Sequence, residues 1–167
     1  MKKYYDDISE GYNELYGDEQ IAKWETARKL IKFSEGNKVL DVGCGTGLIT
    51  EKISKMVNFV VGLDYSEGMI SHAIKKDNIQ YVVADAKHIP FNDKDFDKVV
   101  SFTMVQDVNN WDAVFKEMCR VSKGDVLITV LKRGKKQVEV ERKLTKFFKI
   151  GKSVEEEKDF IFLLTPK

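Results

Sequence analysis

Five short apolar runs alternate with amphipathic segments along the chain, and this alternation constrains the fold more than any other feature. Each run has the length of a strand and is apolar at nearly consecutive positions, which is typical of strands covered on both faces. The runs are 38–42, 59–63, 79–84, 97–102 and 125–131. Apolar residues recur at helical spacing after the first, second and fourth runs. We therefore predict an α/β fold with a doubly wound, mainly parallel sheet.

The two ends of the chain depart from this alternation. Residues 1–35 carry several tyrosines and are predicted to form a helical cap, or lid. Residues 36–167 are predicted to form a Rossmann-like core, so the whole chain is one domain. After the last parallel strand we predict a helix over 135–149, then a hairpin whose second strand is 160–164. That antiparallel hairpin completes a seven-stranded sheet.

Composition excludes several classes of protein. A formal net charge of +1 gives no global attraction to nucleic acid or to an anionic membrane. No apolar stretch approaches the ~20 residues of a membrane span, and the first residues do not resemble a signal peptide. Cys44 and Cys119 form no C-x-x-C pair, so we predict neither a disulfide framework nor a metal site. A reduced, cytoplasmic setting is expected.

The first run ends in a glycine-rich turn with the sequence DVGCGTG. Gly43, Gly45 and Gly47 alternate with other residues, and Asp41 lies two positions before the first glycine. Ligands of open α/β sheets bind at the carboxyl ends of strands, where this turn lies. The dinucleotide fingerprint G-x-G-x-x-G would need a third glycine at position 48, which is Leu48 here. A nicotinamide-dependent oxidoreductase is therefore disfavoured.

Acidic residues also end the second and third runs. Asp64 is placed to accept two hydrogen bonds from a ribose diol, and Asp85 to accept one from the amine of an adenine. Tyr65 and Ile89 would supply apolar surface on the two sides of that ring. The structural alternatives are that Asp64 caps the helix beginning near Ser66 and that Asp85 is a turn residue. Such features at the ends of three successive strands favour a ligand site.

With these segments the chain resembles the class I S-adenosylmethionine-dependent methyltransferases, most closely the small group that includes the quinone-biosynthesis C-methyltransferases. The segments that carry the resemblance are VLDVGCGTG, VVGLDYSEGMI, VADAKHIPF, FDKVVSFTMVQDV and FKEMCRVSKGDVLITV. They extend over essentially the whole chain. The resemblance implies S-adenosylmethionine as cofactor and methyl transfer as the activity.

The resemblance also implies a set of cofactor-binding residues. In that family the glycine turn wraps the methionine moiety and the ribose, and the aspartate matching Asp64 holds the ribose hydroxyls. Asp85 reads the adenine with the backbone of Ala86, while Asp41 organises the turn and the methionine amino group. The implied cofactor-binding residues are Asp41, Gly43, Cys44, Gly45, Gly47, Asp64, Tyr65, Met69, Asp85, Ala86 and Phe102.

Two departures from related families narrow the acceptor. Methylases of nucleobase or glutamine amino groups carry an Asn- or Asp-Pro-Pro-aromatic motif after the fourth strand, where this chain has SFTMVQDV. N-methylation by that arrangement is therefore disfavoured. The three-cysteine set of arsenite methyltransferases is also absent.

Methyl transfer from a sulfonium is an in-line displacement, so orientation and desolvation supply much of the catalysis and a general base is optional. Four residues are candidates for the acceptor side of the site. Asp107 is a candidate base, and Gln106 a candidate for aligning the acceptor. Tyr4 and Tyr12 are candidates on the lid. Each has a structural alternative, namely a solvated or helix-capping acid, or an aromatic ring that packs a mobile helix on the core.

The acceptor itself stays open at this point. We favour a small molecule enclosed by the N-terminal helices. RNA or protein methylation with an activating partner is the first alternative, and a homodimer is another possible assembly. The basic segment 132–152 either docks RNA phosphates or is the solvated face of a helix with Leu144, Phe147 and Phe148 packed inward. A non-catalytic cofactor-binding subunit is the remaining alternative.

Overall fold

The computed structural model describes residues 2–133 and 136–167, apart from the side chain of Gln106. Its strands are β1 (Lys38–Val42), β2 (Phe59–Asp64), β3 (Ile79–Val83), β4 (Lys98–Ser101), β5 (Val126–Leu131), β6 (Phe148–Glu155) and β7 (Asp159–Pro166). Its α-helices are α1 (Lys2–Ile8), α2 (Tyr12–Ala27), α3 (Leu48–Ser54), α4 (Glu67–Ser71), α5 (Trp111–Val121) and α6 (Gln137–Leu144).

The strands form one seven-stranded sheet in the order β3-β2-β1-β4-β5-β7-β6. The first five strands of the chain run parallel, and β7 lies antiparallel between β5 and β6. The predicted α/β architecture with a C-terminal antiparallel hairpin is therefore confirmed. The chain moves outward from β1 to β3 and then returns to β4, on the other side of β1. This switch in strand order opens a crevice at the carboxyl ends of β1 and β4.

Helices cover both faces of the sheet, and successive strand residues point to opposite faces. Val39 of β1 lies fully buried with the apolar residues of α2 and α3. Its neighbour Leu40 is buried on the other face, with those of α5 and α6. None of the helices in the described part of the chain is both long and apolar enough to cross a membrane.

Two predictions about the parallel half of the sheet were wrong in detail. The third run was expected to be covered on both faces, but in β3 Gln80 and Val83 are exposed, because this strand lies at the sheet edge with β2 as its single strand neighbour. The helix after β2 was expected to include Ala73 and Ile74. It ends at Ser71, and the N–H of Ile74 donates to a carbonyl of the glycine turn at 3.1 Å instead of continuing the helix.

The predicted helix over 135–149 was also too long. Residues 134 and 135 lie outside the described part of the chain, and α6 ends at Leu144. Phe148 begins β6, where it pairs with Pro166 and packs its ring 6.3 Å from that of Phe115. Leu144 and Phe148 are buried as predicted, and Phe147 is half-buried. Pairing with β7 therefore overrides the helical periodicity of the final residues.

Candidate functional site

A cleft of about 200 Å³ lies at the carboxyl ends of the central strands, beneath the N-terminal helices. It is formed by the glycine turn after β1, the ends of β2 and β3, and the segment after β4. The residues that line it are Tyr5, Tyr12, Gly43, Gly45, Leu63, Asp64, Tyr65, Met69, Ala84, Asp85, Ala86, Lys87, Phe102, Thr103, Met104, Asp107, Val108 and Asn109. Most of the residues implied for the cofactor thus come together in one cleft.

Three of the implied cofactor residues lie outside this lining. Asp41 and Cys44 line a smaller cavity of about 30 Å³ that adjoins the glycine turn, together with Gln20 and Thr46. Gly47 lines neither cavity. The glycine turn therefore lines both the large cleft and a small cavity that has the buried carboxylate of Asp41 in its wall.

All three glycines of the turn have left-handed backbone, with φ of 78°, 54° and 75° for Gly43, Gly45 and Gly47. L-residues with a side chain adopt such φ values at a cost, which explains the residue type. The N–H groups of Gly43 and Cys44 both donate to the carbonyl of Leu63, at 2.7 and 3.0 Å. The turn is thereby fastened to the end of β2.

The space around the three glycines differs. A Cβ on Gly43 would overlap the side chain of Met104, and a Cβ on Gly47 would overlap the phenol of Tyr81. A Cβ on Gly45 would meet no atom closer than 4.0 Å, where a lid tyrosine lies. Gly45 therefore faces open cleft, whereas the other two make room for packing within the protein.

Asp64 is almost fully buried at the end of β2. Its two oxygens accept the N–H groups of Gly45 at 2.8 Å and Ser66 at 2.9 Å. Burial raises the pKa of the Asp64 carboxyl, although these backbone bonds oppose the rise. The helix cap is Ser66 itself, whose hydroxyl accepts the N–H of Met69 at 3.1 Å. Asp64 therefore joins the glycine turn to the residue that begins α4.

Asp41 is buried within β1, where its carboxylate accepts the hydroxyl of Thr50 at 2.6 Å. Burial, with a smaller contribution from the charge of Asp64, raises the pKa of Asp41 to about 7. A cation that entered the adjoining small cavity would favour the ionised form of this carboxyl. The position suits a positively charged amino group.

Asp85 lies in the cleft, where a ligand residue would be expected, and it also stabilises a turn. It lines the cleft, and its carboxylate also accepts the backbone N–H of Lys87 at 2.9 Å and pairs with the Lys87 ammonium at 3.2 Å. The loop that follows is held from α5, where Glu117 accepts the N–H of Ile89 at 2.9 Å and Arg120 donates to the Ile89 carbonyl at 2.9 Å. Sequence reasoning missed this pair, whose signal is the i, i+3 spacing of opposite charges.

The lid tyrosines are arranged differently from the prediction. Tyr12 lines the cleft, and burial, with the nearby charge of Asp64, raises its pKa to about 12. Tyr4 does not line it: its ring is half exposed and its hydroxyl lies 3.3 Å from that of Tyr16. Tyr5, which sequence reasoning did not select, lines the cleft instead. Tyr4 and Tyr12 do not share one continuous helix, because a 3₁₀ turn over Ser9–Gly11 separates α1 from α2.

Tyr5 joins the lid to the segment after β4. Its hydroxyl donates to the carboxylate of Asp107 at 2.5 Å, and burial together with this bond raises the pKa of Tyr5 well above its usual range. Asp107 is half-buried at the end of a 3₁₀ turn. The side chain of Gln106, in the same turn, lies outside the described atoms. The acid is therefore neither freely solvated nor a helix cap, and it faces the cleft.

Two further contacts bind the N-terminal helices to the core. The carboxylate of Asp6 accepts the hydroxyl of Ser66 at 2.5 Å and the N–H of Gly68 at 3.0 Å. These bonds, that from Ser66 first, lower the pKa of Asp6. The hydroxyl of Thr46 donates to Asn13 at 2.6 Å. The lid is thus fastened both to the glycine turn and to the start of α4.

The first residues after β4 form the remaining wall of the cleft. Thr103 has a φ of 56°, which is a strained conformation for a β-branched residue and costs about 1–3 kcal/mol. Its N–H donates to the hydroxyl of Thr129 in β5 at 2.8 Å.

Among the described residues no three His, Cys, Asp or Glu side chains are grouped so that they could hold a metal ion.

Comparison with known proteins identifies the family. The model of a family described as a methyltransferase domain matches residues 40–130, which is more than half of the chain. The chain belongs to this methyltransferase family. The resemblance noted from the glycine turn and the strand ends is therefore confirmed.

Curated relatives match this chain over about three quarters of its length. An uncharacterized protein of Methanocaldococcus jannaschii is 40% identical over 127 residues, which are 75% of this chain and 48% of that protein. A demethylmenaquinone methyltransferase of Corynebacterium glutamicum is 31% identical over 131 residues, covering 75% of this chain and 56% of the relative. The chain spans about half the length of the curated relatives it matches.

Solved structures share the fold of this chain over nearly all of its length. A methyltransferase from Haloferax volcanii, solved in complex with a methyltransferase activator, superposes with a TM-score of 0.85 at 15% identity, covering 97% of both chains. An S-adenosylmethionine-dependent methyltransferase from Aquifex aeolicus gives a TM-score of 0.77 at 21% identity, covering 100% of this chain and 99% of that one. The chain thus shares its fold with both structures along nearly their whole length.

The basic segment predicted at 132–152 is divided between α6 and β6. Lys132 pairs with Glu155 at 2.9 Å, and Lys146 pairs with Asp112 at 2.5 Å. Acids near these lysines therefore neutralise part of the segment. Residues 134 and 135, within it, lie outside the described residues.

Proposed function

We propose that this protein is an S-adenosylmethionine-dependent methyltransferase. The observation that carries the proposal is the carboxylate of Asp64 at a strand end, beside the open backbone of Gly45, in a cleft under a closed lid. Membership of the methyltransferase family supports it. We also propose that the chain acts as one domain, with residues 1–35 as the lid and 36–167 as the core.

In this proposal the adenosine lies across three strand ends. Asp64 accepts hydrogen bonds from both ribose hydroxyls, and Asp85 with the backbone of Ala86 meets the adenine. The methionine part passes over Gly45, and its amino group points toward the small cavity beside Asp41. The remaining cofactor contacts are proposed for the lining residues Gly43, Tyr65, Met69 and Phe102. Cys44 and Gly47 contribute through the shape of the turn.

We propose a small, uncharged or cationic molecule as the acceptor. The described lining of the cleft carries the carboxylates of Asp64, Asp85 and Asp107, and its described cation, Lys87, is already paired with Asp85. Such a surface repels phosphates and other anions. The demethylmenaquinone methyltransferases among the relatives are named for a small-molecule acceptor, which agrees with this choice.

The chemical step is an in-line displacement. When bound, S-adenosylmethionine would supply its methyl group to the acceptor atom, and the sulfur would keep the electron pair of the broken carbon–sulfur bond, so that S-adenosylhomocysteine would leave as a neutral thioether. The proton lost by the acceptor passes to the carboxylate of Asp107, which Tyr5 orients through its hydroxyl. Enclosure by the lid excludes water and aligns the two reactants, which supplies much of the rate.

A second candidate function is methylation of RNA or protein with the help of a partner protein. The observation that favours it is the Haloferax volcanii structure, in which a chain of the same fold is bound to a methyltransferase activator. In this case the partner would complete the acceptor site beside the lid. The experiment below separates the two candidates by the fraction that receives the methyl group.

Calorimetry and isotope transfer test the proposed function together. We expect the chain to bind S-adenosylmethionine and S-adenosylhomocysteine but not NAD. With radiolabelled cofactor and a cell extract, we expect label in the small-molecule fraction. Label in RNA or protein would support the second candidate, and binding without transfer into any fraction would indicate a non-catalytic subunit. Binding of NAD and not of S-adenosylmethionine would contradict the proposal.

The glycines of the turn provide a matched pair of variants. We expect Gly47→Ala to lower stability by about 3 kcal/mol, because it combines left-handed backbone with overlap against Tyr81. We expect Gly45→Ala to cost only about 1 kcal/mol but to weaken cofactor binding at least about tenfold, because its methyl group enters the cleft. Thermal unfolding and calorimetry measure the two effects. If the ratio of lost cofactor affinity to lost stability were the same in Gly45→Ala and Gly47→Ala, this division of roles would be contradicted.

A further inference from the structure

One lysine of the lid helix α2 is buried rather than solvated. Lys23 is 2% exposed, and its ammonium lies 2.9 Å from the carboxylate of Asp159, a fully buried residue at the start of β7. Glu19, one turn earlier in α2, lies 3.5 Å from the same ammonium. A buried charge is tolerated only with such partners. Replacing an ion pair of this kind with apolar residues is often neutral for stability, so stability alone does not explain it.

The same ammonium reaches the wall of the cleft. Lys23 donates to the hydroxyl of Thr103 at 2.5 Å. Thr103 is the strained residue after β4, and its N–H is held from the other side by Thr129. Directly after it come Met104, whose side chain covers Gly43, and the 3₁₀ turn that carries the acid facing the lid. The wall therefore begins at a residue with left-handed backbone that is hydrogen-bonded from two sides.

We infer that Lys23 is a positioning residue for this wall. Asp159 fixes the ammonium, the ammonium holds the hydroxyl of Thr103, and Thr103 keeps the left-handed backbone that places Asp107 against the acceptor. The inference rests on the proposed function, since it gives the wall its role in methyl transfer. It also gives α2 a contact with the wall that is separate from the bond made by α1 through Tyr5.

Three variants separate positioning from folding. The double variant Lys23→Met/Asp159→Leu removes both charges, so that neither is left buried without a partner. Thr103→Val has nearly the shape of threonine but no hydroxyl to accept from the ammonium. Thr103→Ser keeps the hydroxyl, so it is the control in which the hydrogen bond from Lys23 that Thr103→Val loses is retained. If the double variant fails to fold, the valine and serine variants still test the inference.

Hydrogen exchange reports on the wall without any acceptor substrate. The amides of Thr103, Asp107 and Val108 all donate hydrogen bonds within or beside this segment. We expect them to exchange roughly tenfold faster or more in the double variant and in Thr103→Val, the change expected for losing one charge-assisted hydrogen bond. The amides of Gly43 and Cys44 serve as the reference, and their exchange rates should stay unchanged in these variants. In Thr103→Ser, the exchange rates of both the wall amides and the reference amides should equal those of the wild type.

Two outcomes would overturn the inference. One is unchanged exchange of the wall amides in both the double variant and Thr103→Val. The other is faster exchange that includes the reference amides in proportion, because that would indicate a merely structural role. Failure of the wild-type chain to bind S-adenosylhomocysteine would instead overturn the proposed function, whatever the exchange results.

Transfer measurements supply the second readout. At saturating S-adenosylmethionine we expect methyl transfer by Thr103→Val to fall on the order of tenfold or more, since a small displacement of reacting groups has such effects. Affinity for S-adenosylhomocysteine should change much less. Loss of affinity equal to the loss of transfer would contradict positioning of the acceptor wall.

Discussion

Replacing Asp64 with alanine is expected to weaken S-adenosylmethionine binding by roughly 100-fold or more. In the proposed complex this carboxylate accepts two charge-assisted hydrogen bonds from the ribose, each of which contributes about 1.5–3 kcal/mol. It also holds the N–H groups of Gly45 and Ser66 at 2.8 and 2.9 Å, so the turn loses its fastening as well. Titration calorimetry with S-adenosylmethionine and S-adenosylhomocysteine measures the loss directly.

The matched control is Asp125→Ala. Asp125 directly precedes β5, at the amino ends of the strands, whereas the cleft lies at their carboxyl ends. It pairs with Lys98 at 2.7 Å, and its side chain is 40% exposed. Its removal should leave cofactor affinity unchanged. Thermal unfolding of both variants, without ligand, shows how much of the effect of Asp64→Ala comes from the fold. An affinity equal to that of the wild type in Asp64→Ala would remove Asp64 from the proposed ribose site.

Replacing Asp107 with asparagine is expected to lower methyl transfer at saturating cofactor by about 100-fold, the lower range for loss of a general base. The amide has nearly the same shape and still accepts the hydroxyl of Tyr5, but it cannot take a proton from the acceptor. Cofactor affinity should stay within about threefold, because the change acts on the chemical step. Rates are measured with labelled cofactor and the extract fraction that receives the methyl group.

Tyr5→Phe tests whether Asp107 acts as a base or only binds the N-terminal helices to the core. This variant keeps the aromatic wall and the carboxylate of Asp107 but loses the 2.5 Å bond between them. If Asp107 takes the proton, the phenylalanine variant should lose much less transfer than Asp107→Asn. A loss of transfer in Tyr5→Phe with little or no loss in Asp107→Asn, which keeps the hydrogen bond to Tyr5, would mean that the acid serves only to hold the N-terminal helices against the core.

Much of the fold was predictable because its signals are local. The strands lie within one or two residues of the predicted apolar runs, since each run is long enough only for a strand and is buried by its neighbours. The errors occur where distant contacts decide the outcome. The N–H of Ile74 donates to the carbonyl of Thr46 in the glycine turn, so α4 does not extend to Ile74. Phe148 lies in the hairpin instead of extending α6.

The site divides in the same way. Asp64, Asp85 and the glycine turn were predictable, because each lies at or just beyond the end of a strand and the carboxyl ends of parallel strands lie on the same side of the sheet. Tyr5 and Asp6 were not, because their partners lie 102 and 60 residues further along the chain. Single-sequence patterns carry no signal for such pairs. The lid residues that face the cleft therefore emerge only from the three-dimensional structure.

Ser66 has a consequence that extends beyond its role as a helix cap. Its N–H reaches Asp64 and its hydroxyl reaches Asp6, so one small side chain stands between the lid and the proposed nucleoside receptor. Lifting the first helix must break the hydroxyl contact and so disturbs the residue that orients the receptor. In the proposed complex, entry of S-adenosylmethionine and exit of S-adenosylhomocysteine would therefore be coupled through Ser66 to the position of the ribose-binding carboxylate.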